Sequence, residues 1–453
     1  MTRSARSGRR SGPGTPAGPS AREIALGVLV RVVEHGGYSN LALRAALGRS
    51  SLSARDRHLA TELSYGTLRR LPALDRALRP LLVRPWERTA PRTRALLRLG
   101  AYQLLYTRIP PHAAVGETVA LAASRERGFA NAVLRRLAAA PPAPPSGSSD
   151  DDVAVRTGLA PWAVRELRRL AGDRVEEAAA ALGERGPLTL RTNTCRASVA
   201  QLEVRLSAAG HAPRRGALHP DSLLLDAGTP SELPGFAEGW FAVQDQASSF
   251  VVRALEPRPG DRALDACAGP GGKAAYLACL VGPSGSVVAA DVSPVRVGLV
   301  RDQAQRLRVP VHLVVQDGRR PAVRGPFDRI LVDAPCSGMG SARRRPELLW
   351  RARREELSHL ARLQVAIVSS LADQLAPGGR LVYSVCTFPR AETDAACDAI
   401  LRHRPDLEPA PIAGPDGPAP RVRLWPHLHG TDAMFVAAFR RRASPPERGA
   451  RLG

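Results

Sequence analysis

The sequence predicts an all-α amino-terminal domain, then an α/β domain with a doubly wound parallel sheet, and a small α+β subdomain between them. Three observations carry this reading. Apolar residues recur at helical spacing from residue 20 to about 139, a Pro- and Ser-rich stretch interrupts the pattern, and after residue 244 strand-like and helical segments alternate regularly. A chain of 453 residues also exceeds one ordinary domain, so two or three cores are expected.

In the first region Ile24, Val28, Leu29 and Val32 fall on one helical face. Ser53 and Asp56 form a capping box ahead of Leu59 and Leu63. Leu96, Leu97, Leu104 and Leu105 follow, then Val115, Val119 and Ala122. Residues 1–19 are basic without an apolar segment behind them and read as a disordered tip, leaving 20–139 as the helical domain. Residues 140–152, alternating in Pro and Ser content, bury no core and read as a linker.

Residues 153–243 read as a helical segment followed by the small α+β subdomain. It has a strand at Leu188 to Asn193, a helix over 197–209 and an apolar run at Ser222 to Leu225. Residues 244–442 then give strands at Arg262 to Cys267, Ser286 to Asp291, Val311 to Gln316, Asp328 to Asp333 and Arg380 to Cys386. Helices start at Lys273 and Pro294, and a long one spans about 353–376. Strand, helix, strand, helix is the signature of a doubly wound sheet. Ala433 to Phe439 is expected as an added antiparallel strand, and 443–453 as a disordered tail.

The net charge of +23 points to a polyanionic partner, nucleic acid first, because neutralising phosphates and releasing counterions is what such an excess does best. The arginine-rich composition is equally a product of coding bias, yet Lys273 is the single lysine and sits in a glycine-rich loop, where a compact ammonium fits and a guanidinium does not. The six cysteines (195, 267, 279, 336, 386 and 397) form no C-x-x-C pair and no zinc-ligand spacing, so neither a metal nor a disulfide framework is expected. A working thiol must stay reduced, which points to the cytoplasm, and no run of about 18 uncharged apolar residues implies a membrane.

Three short motifs carry the chemistry. The first, D-A-C-A-G-P-G-G-K (Asp265 to Lys273), sits between a strand and a helix, where Gly269, Gly271 and Gly272 let backbone amides and a helix amino end approach a ligand. Its letters also fit a dinucleotide fingerprint, so a nicotinamide or flavin cofactor competes with other adenosine cofactors, and a tight structural turn with both. Asp291, ending the next strand, is placed to bind ribose hydroxyls, and Asp317 to accept from an adenine amino group.

The other two motifs, D-A-P-C-S-G (Asp333 to Gly338) and Y-S-V-C-T (Tyr383 to Thr387), each put a cysteine at the carboxyl end of a predicted parallel strand. Cytosine carbon 5 is too poor a nucleophile to take a methyl group unaided, but a thiolate adding to carbon 6 makes it carbanion-like. Such chemistry needs a nucleophile, a proton donor at ring nitrogen 3 and a base for the carbon-5 proton, and Cys386, Asp333 and Cys336 are candidates. The bland alternative is burial, which suits Cys195, Cys279 and Cys397 better than a thiol flanked by Pro335 and Asp333. For Asp333 itself, a carboxylate held on backbone amides is the alternative.

In this order the three motifs resemble the signature of the RsmB/Sun family of RNA (cytosine-5)-methyltransferases. Residues 20–139, with G-F-A-N-A-V-L-R-R at Gly128 to Arg136, resemble the NusB-like RNA-binding domain that some members carry. The resemblance implies a Rossmann-like methyltransferase domain acting on RNA, small-subunit ribosomal RNA first, with S-adenosylmethionine as cofactor. It implies a cofactor site made of Cys267, Ala268, Gly269, Pro270, Gly271, Gly272, Lys273, Asp291, Asp317 and Asp333. Cys386 would be the nucleophile and Cys336 would assist product release. The chain departs from the family pattern at Val385, where Thr is usual, at Gly269, where Ala is common, at Asp432-Ala433-Met434-Phe435 in place of D-G-F-F, and at Thr393 beside the retained Glu392.

Arg343, Arg344 and Arg345 follow the Asp-Ala-Pro-Cys motif closely and are candidates to clamp RNA phosphates, against the reading of a solvated charge run. Arg135 and Arg136, with Asn131, and Arg191 are further candidate RNA contacts, whereas Trp350 reads as packing rather than base stacking. A DNA cytosine methyltransferase would instead use Cys336 as nucleophile, and an assembly scaffold would need neither thiol. A monomer is expected.

Overall fold

The computed structural model describes residues 18–443 and separates them into two compact units, residues 18–146 with 345–347, and the rest. Residues 1–17 of the expected tip over 1–19, and 444–453 of the expected tail over 443–453, lie outside the described residues.

The first unit is helical throughout: Ala21–Leu29 continuing into a π-turn, then Ser39–Gly48, Ala54–Arg69, Leu71–Leu78, Pro91–Tyr106, Pro111–Ala120 and Arg127–Ala139. A full capping box starts it, the Ser20 hydroxyl accepting from the Glu23 amide and the Glu23 carboxylate accepting from the Ser20 amide. At Ser53 the expected box is half made, because the Asp56 carboxylate accepts from the Ser53 hydroxyl instead of reaching the backbone. Ile24, Val28, Leu29, Val32, Leu63, Leu96 and Leu97 are buried together, whereas Leu104, Leu105 and Val119 are only half-buried. The buried Arg98 is forked onto Asp75 by two hydrogen bonds of 2.7 and 2.8 Å.

The second unit begins earlier than composition implied. Ser149 caps a helix at Asp150–Thr157 whose first turn is Asp150, Asp151 and Asp152, so the last residues of the expected linker are helical. Three carboxylates at a helix amino end oppose its dipole favourably, and Asp150 also pairs with Arg168 at 2.8 Å. The small subdomain that follows is an antiparallel four-stranded sheet in the spatial order Arg214–Arg215, Ser222–Leu225, Leu188–Thr192, Phe241–Val243, backed by the helix Val199–Ala208.

The main sheet has eight strands: β1 (Arg262–Asp265), β2 (Ser286–Asp291), β3 (His312–Val315), β4 (Phe327–Asp333), β5 (Leu375–Val385), β6 (Leu407–Pro409), β7 (Arg421–Leu424) and β8 (Met434–Arg441). Its order is β3-β2-β1-β4-β5-β8-β6, with β7 also pairing β8. The first five strands are parallel and β8 is antiparallel to β5, in register Phe435 with Val385. Helices Gly272–Val281, Pro294–Leu307 and Leu357–Ala372 cover the faces, and a helix at Gln246–Ala254, not signalled in the sequence, precedes β1. Leu264, Ile330, Val332, Leu381, Tyr383 and Val385 lie in one core layer and Ala263, Leu331, Val382 and Val436 in the other. This alternation fixes which side chains of each strand end emerge at the carboxyl edge.

Two cysteines read as apolar fillers behave differently. Cys195, exposed in the turn after the first subdomain strand, is bonded to Cys279 near the end of the helix Gly272–Val281, with Cα atoms 5.8 Å apart. The expectation of no disulfide is corrected, because the fold brings two segments 84 residues apart to bonding distance. Among the described residues no helix is long and apolar enough to cross a membrane, and no cluster of His, Cys, Asp and Glu could hold a metal ion.

Candidate active site

The site lies where β1, β2, β4 and β5 end at their carboxyl edge. After β1 the chain turns through Ala268 and Gly269 into the helix Gly272–Val281. The Gly269 amide donates to Asp291 Oδ2 at 3.1 Å, the Ala268 amide to the Ala290 carbonyl at 2.8 Å, and Arg296 Nη2 to the Gly269 carbonyl at 2.9 Å. Gly271 caps the helix at φ +108°, and a Cβ there would lie 2.9 Å from Val300 Cα, so only glycine fits. A Cβ at Gly269 would meet Asp291 Oδ2 and Arg296 Cβ at 2.7 Å, which accounts for glycine beside this arginine.

A cavity of about 220 Å³ opens on this loop, lined by Cys267, Ala268, Gly269, Pro270, Gly272 and Lys273, by Asp333, by Val243, Gln244, Asp245 and Ser248, and by Asp265, Arg344 and Asp432. Asp265 is the residue that sequence reasoning missed. It is fully buried, and although the Cys267 amide faces it, neither carboxylate oxygen makes a hydrogen bond of normal geometry. Burial, partly offset by the Lys273 ammonium and reinforced by Asp333, pushes its carboxyl up to about 7. An orphaned carboxylate on a cavity wall calls for a cationic ligand group, and the amino-acid ammonium of S-adenosylmethionine is one. With the glycine cradle beside it, the donor set fits that cofactor.

The remaining cofactor candidates divide. Asp291 is buried, its Oδ1 taken by the Ser293 amide at 3.0 Å, its Oδ2 by Gly269 and, at 3.5 Å, Arg296, so it braces the loop. Asp317 stands at the end of β3 away from the cavity lining, its carboxylate held by the amide and guanidinium of Arg319, whose hydrogen bonds hold it below the usual carboxylate range.

Lys273 extends from the helix amino end to Asp333, Nζ to Oδ2 2.7 Å, while Ser384 Oγ donates to Asp333 Oδ1 at 2.7 Å. Burial pulls the ammonium down, but Asp333, with Asp265 and the nearby Cys386 thiol, more than reverses this, so Lys273 holds its proton. The two thiols converge: Cys336 Sγ and Cys386 Sγ are 3.5 Å apart. The hydrogen bond with Cys386, and then burial, push the Cys336 thiol well above its ordinary range. Gly340 sets their backbone spacing, donating to the Cys386 carbonyl at 3.0 Å and accepting from the Ala433 amide at 2.9 Å. A Cβ there would fall 2.1 Å from the Ala433 oxygen, so this close approach requires glycine.

Arg343 and Arg344 turn inward instead of standing out as a phosphate clamp. Arg343 is buried and donates to the Gly430 and Thr431 carbonyls, and Arg344 bridges Asp245 (2.8 Å) and Asp432 (3.1 Å) on the cavity wall. Arg345 belongs to the first unit, its guanidinium 6.0 Å from the Tyr38 ring centre. Arg191 is likewise corrected. It is fully buried under the Tyr276 ring at 4.3 Å and donates to Gln244 Oε1 at 2.6 Å, out of reach of any RNA. Arg135 and Arg136 remain exposed on their helix, and Trp350 packs partly buried against the core.

Comparison with known proteins adds the lineage. Residues 252–440 match the model of the 16S rRNA methyltransferase RsmB/F family, residues 19–139 the NusB family, and residues 160–232 the ferredoxin-like domain of RsmF/B-like methyltransferases. A "Probable ribosomal RNA small subunit methyltransferase B" of Bacillus subtilis is 35% identical over 443 residues, covering 93% of this chain and 99% of its own. The chain belongs to the RsmB/F family. A ribosomal RNA small subunit methyltransferase B of Vibrio cholerae is also 35% identical, over 93% of this chain and 97% of its own. Among solved structures, PH0851 shares the fold over 92% of this chain and 98% of its own, with a TM-score of 0.82 at 24% identity. A methyltransferase homologue from Pyrococcus horikoshii is 28% identical, with a TM-score of 0.57 over 65% of this chain and 99% of its own. The protein is an S-adenosylmethionine-dependent methyltransferase of this rRNA family, with a NusB-type helical domain ahead of a Rossmann-like catalytic domain.

Proposed function

We propose that this RsmB/F-family member methylates carbon 5 of a cytosine in small-subunit ribosomal RNA through a covalent bond between Cys386 and the base. The observation that carries the reading is the 3.5 Å approach of Cys336 Sγ to Cys386 Sγ at the ends of adjacent parallel strands, beside the Lys273–Asp333 pair. The Asp265 to Lys273 loop would hold S-adenosylmethionine, with the bare Asp265 carboxylate available to its ammonium, and the cofactor would supply an electrophilic methyl group.

The chain's own residues do the rest. The Cys386 thiolate adds to cytosine carbon 6, and the electron pair of the 5,6 double bond moves toward carbon 5 as ring nitrogen 3 takes a proton from the Lys273–Asp333 pair. Once Cys386 is a thioether, the largest of the influences that hold the proton on Cys336, its hydrogen bond with Cys386, is gone, which eases its ionisation against the remaining burial and nearby acids. After carbon 5 has taken the methyl group that the cofactor would supply, Cys336 accepts the remaining carbon-5 proton, the 5,6 double bond re-forms as the carbon 6–sulfur bond breaks, Cys386 leaves as thiolate, and ring nitrogen 3 returns its proton to the Lys273–Asp333 pair. The target base must be unpaired or flipped out to meet both thiols, at a cost of a few kcal/mol in a duplex, which favours an early assembly state of the RNA. We place the protein in the cytoplasm as a monomer, where the working thiols Cys336 and Cys386 stay reduced.

The test is a denaturing gel of Cys336→Ala, Cys386→Ala and the unaltered protein, each incubated with S-adenosylmethionine and unmodified small-subunit RNA. A slow-migrating adduct confined to Cys336→Ala is expected. An adduct that needs Cys336 instead would reverse the roles in favour of the DNA-type mechanism.

A further inference from the structure

Next to the two thiols lies a polar cluster that takes no part in lining the cofactor cavity. Glu392, in the short turn Arg390–Glu392 after β5, is fully buried and has no ion-pair partner among the described residues. Its Oε1 accepts from the Ser337 amide (2.9 Å) and Gln364 Nε2 (3.0 Å), and its Oε2 from the Ser337 hydroxyl (2.6 Å). Ser337 follows Cys336, and its hydroxyl also lies 2.7 Å from that of Thr387, which follows Cys386. Gln364 completes the frame by donating to the Pro335 carbonyl, while the Tyr383 hydroxyl is shared between Gln364 Oε1 and the Glu392 carbonyl.

The residues just after each thiol are thus tied to each other, and one of them directly to Glu392. The charges around the pair are also unequal. Glu392 reaches the Cys336 side, whereas the Lys273 ammonium stands near Cys386. We propose that Glu392 is a positioning residue for both thiols, and that its buried negative charge, set on the Cys336 side, keeps the attacking role with Cys386. Two like charges 3.5 Å apart cannot both form, so the pair loses one proton first, and whichever neighbour charge is closer decides from which sulfur. Burial raises the Glu392 carboxyl and the hydrogen bonds from Ser337 and Gln364 oppose this; the three contacts to its two oxygens are all donated to them, which is the arrangement a carboxylate takes. The Glu392 charge is itself among the causes that raise the Cys336 thiol.

Glu392→Gln tests this, since the amide oxygen can keep the two N–H donors and its NH2 can donate to a turned Ser337 hydroxyl, removing charge but not shape. The full-length protein is treated briefly with iodoacetamide and the label on Cys336 and Cys386 quantified by peptide mass spectrometry. The unaltered protein is expected to label chiefly at Cys386. In Glu392→Gln the Cys336 to Cys386 ratio is expected to rise about tenfold, the effect of removing a neighbouring like charge worth about one pKa unit. On RNA, kcat should fall while KM holds. An unchanged ratio in the folded variant overturns the proposal. Should it not fold, Glu392→Asp, which withdraws the charge by one methylene, must move the ratio the same way by a smaller factor, and no movement is equally fatal. The inference rests on the thiol roles proposed above, but the labelling ratio involves neither RNA nor methyl transfer, so its failure is distinct from that of the gel experiment.

Discussion

Lys273 Nζ and Asp333 Oδ2 stand 2.7 Å apart across the carboxyl ends of β1 and β4, joining the cofactor loop to the motif that carries Cys336. Both side chains are largely withdrawn from solvent, so neither tolerates the loss of the other. Lys273→Met is expected to lower kcat/KM by about 10²–10³, the range for removing one charged donor from an active site. Lys273→Arg should do no better, because the guanidinium does not fit beside Asp333 in the space of an ammonium. Methyl incorporation from labelled S-adenosylmethionine measures both; activity in Lys273→Arg near that of the unaltered enzyme would refute the argument.

Asp265 gives a pH signature. Its folded value of about 7 stands above the roughly 4 of an unfolded aspartate, so the folded protein holds an extra proton between those values. The contribution of this group to stability is therefore full below pH 4 and is lost as pH rises through 7. Asp265→Asn should flatten that part of the profile and make the cofactor-free protein more stable at pH 8, by roughly 1–3 kcal/mol. Binding of S-adenosylmethionine should weaken in the same variant. Urea unfolding at pH 5 and pH 8, with calorimetric titration of the cofactor, would show either result, and equal destabilisation at both pH values would contradict it.

Arg344 holds two carboxylates: Asp432, whose Oδ1 makes no hydrogen bond, and Asp245, whose Oδ1 also accepts from the Ala247 and Asp432 amides. Burial and the Asp245 charge push the Asp432 carboxyl up to about 6, and Arg344 pulls the other way. Arg344→Ala is expected to cost roughly 3 kcal/mol by leaving the acids together in a cavity wall. Adding Asp245→Asn and Asp432→Asn should recover most of that loss. Chemical denaturation of the single and triple variants decides the matter; a triple variant no more stable than the single would mean that packing of the arginine stem, not charge, is at stake.

The strand–loop–helix around Asp265 to Lys273 and the thiols at two strand ends were legible because local patterns specify them. Period-two alternation sets the strands, glycines set the turn, and parallel strands point their carboxyl ends to one edge. Arg343 and Arg344 were misread because a run of arginines looks alike whether solvated or paired. The partners of Arg344, Asp245 and Asp432, lie 99 and 88 residues away, and only the fold brings them together. Glu392 was visible as a letter but not as a strut, since Ser337 lies 55 residues off. Asp265 was passed over for the glycines beside it, although a lone acid at the end of a buried strand is itself a signal. Cys195 and Cys279 carried no spacing that would pair them.

The pairing of β8 with β5 orders events in the making of the protein. Every reacting group is in place along the chain by residue 386, yet the strand bearing Cys386 stays an open edge until residues 434–441 have been made, and the Gly340 carbonyl lacks its Ala433 partner until then. During amino-to-carboxyl synthesis the catalytic edge therefore closes last. A nascent chain carries both thiols while still unable to hold them at their working separation.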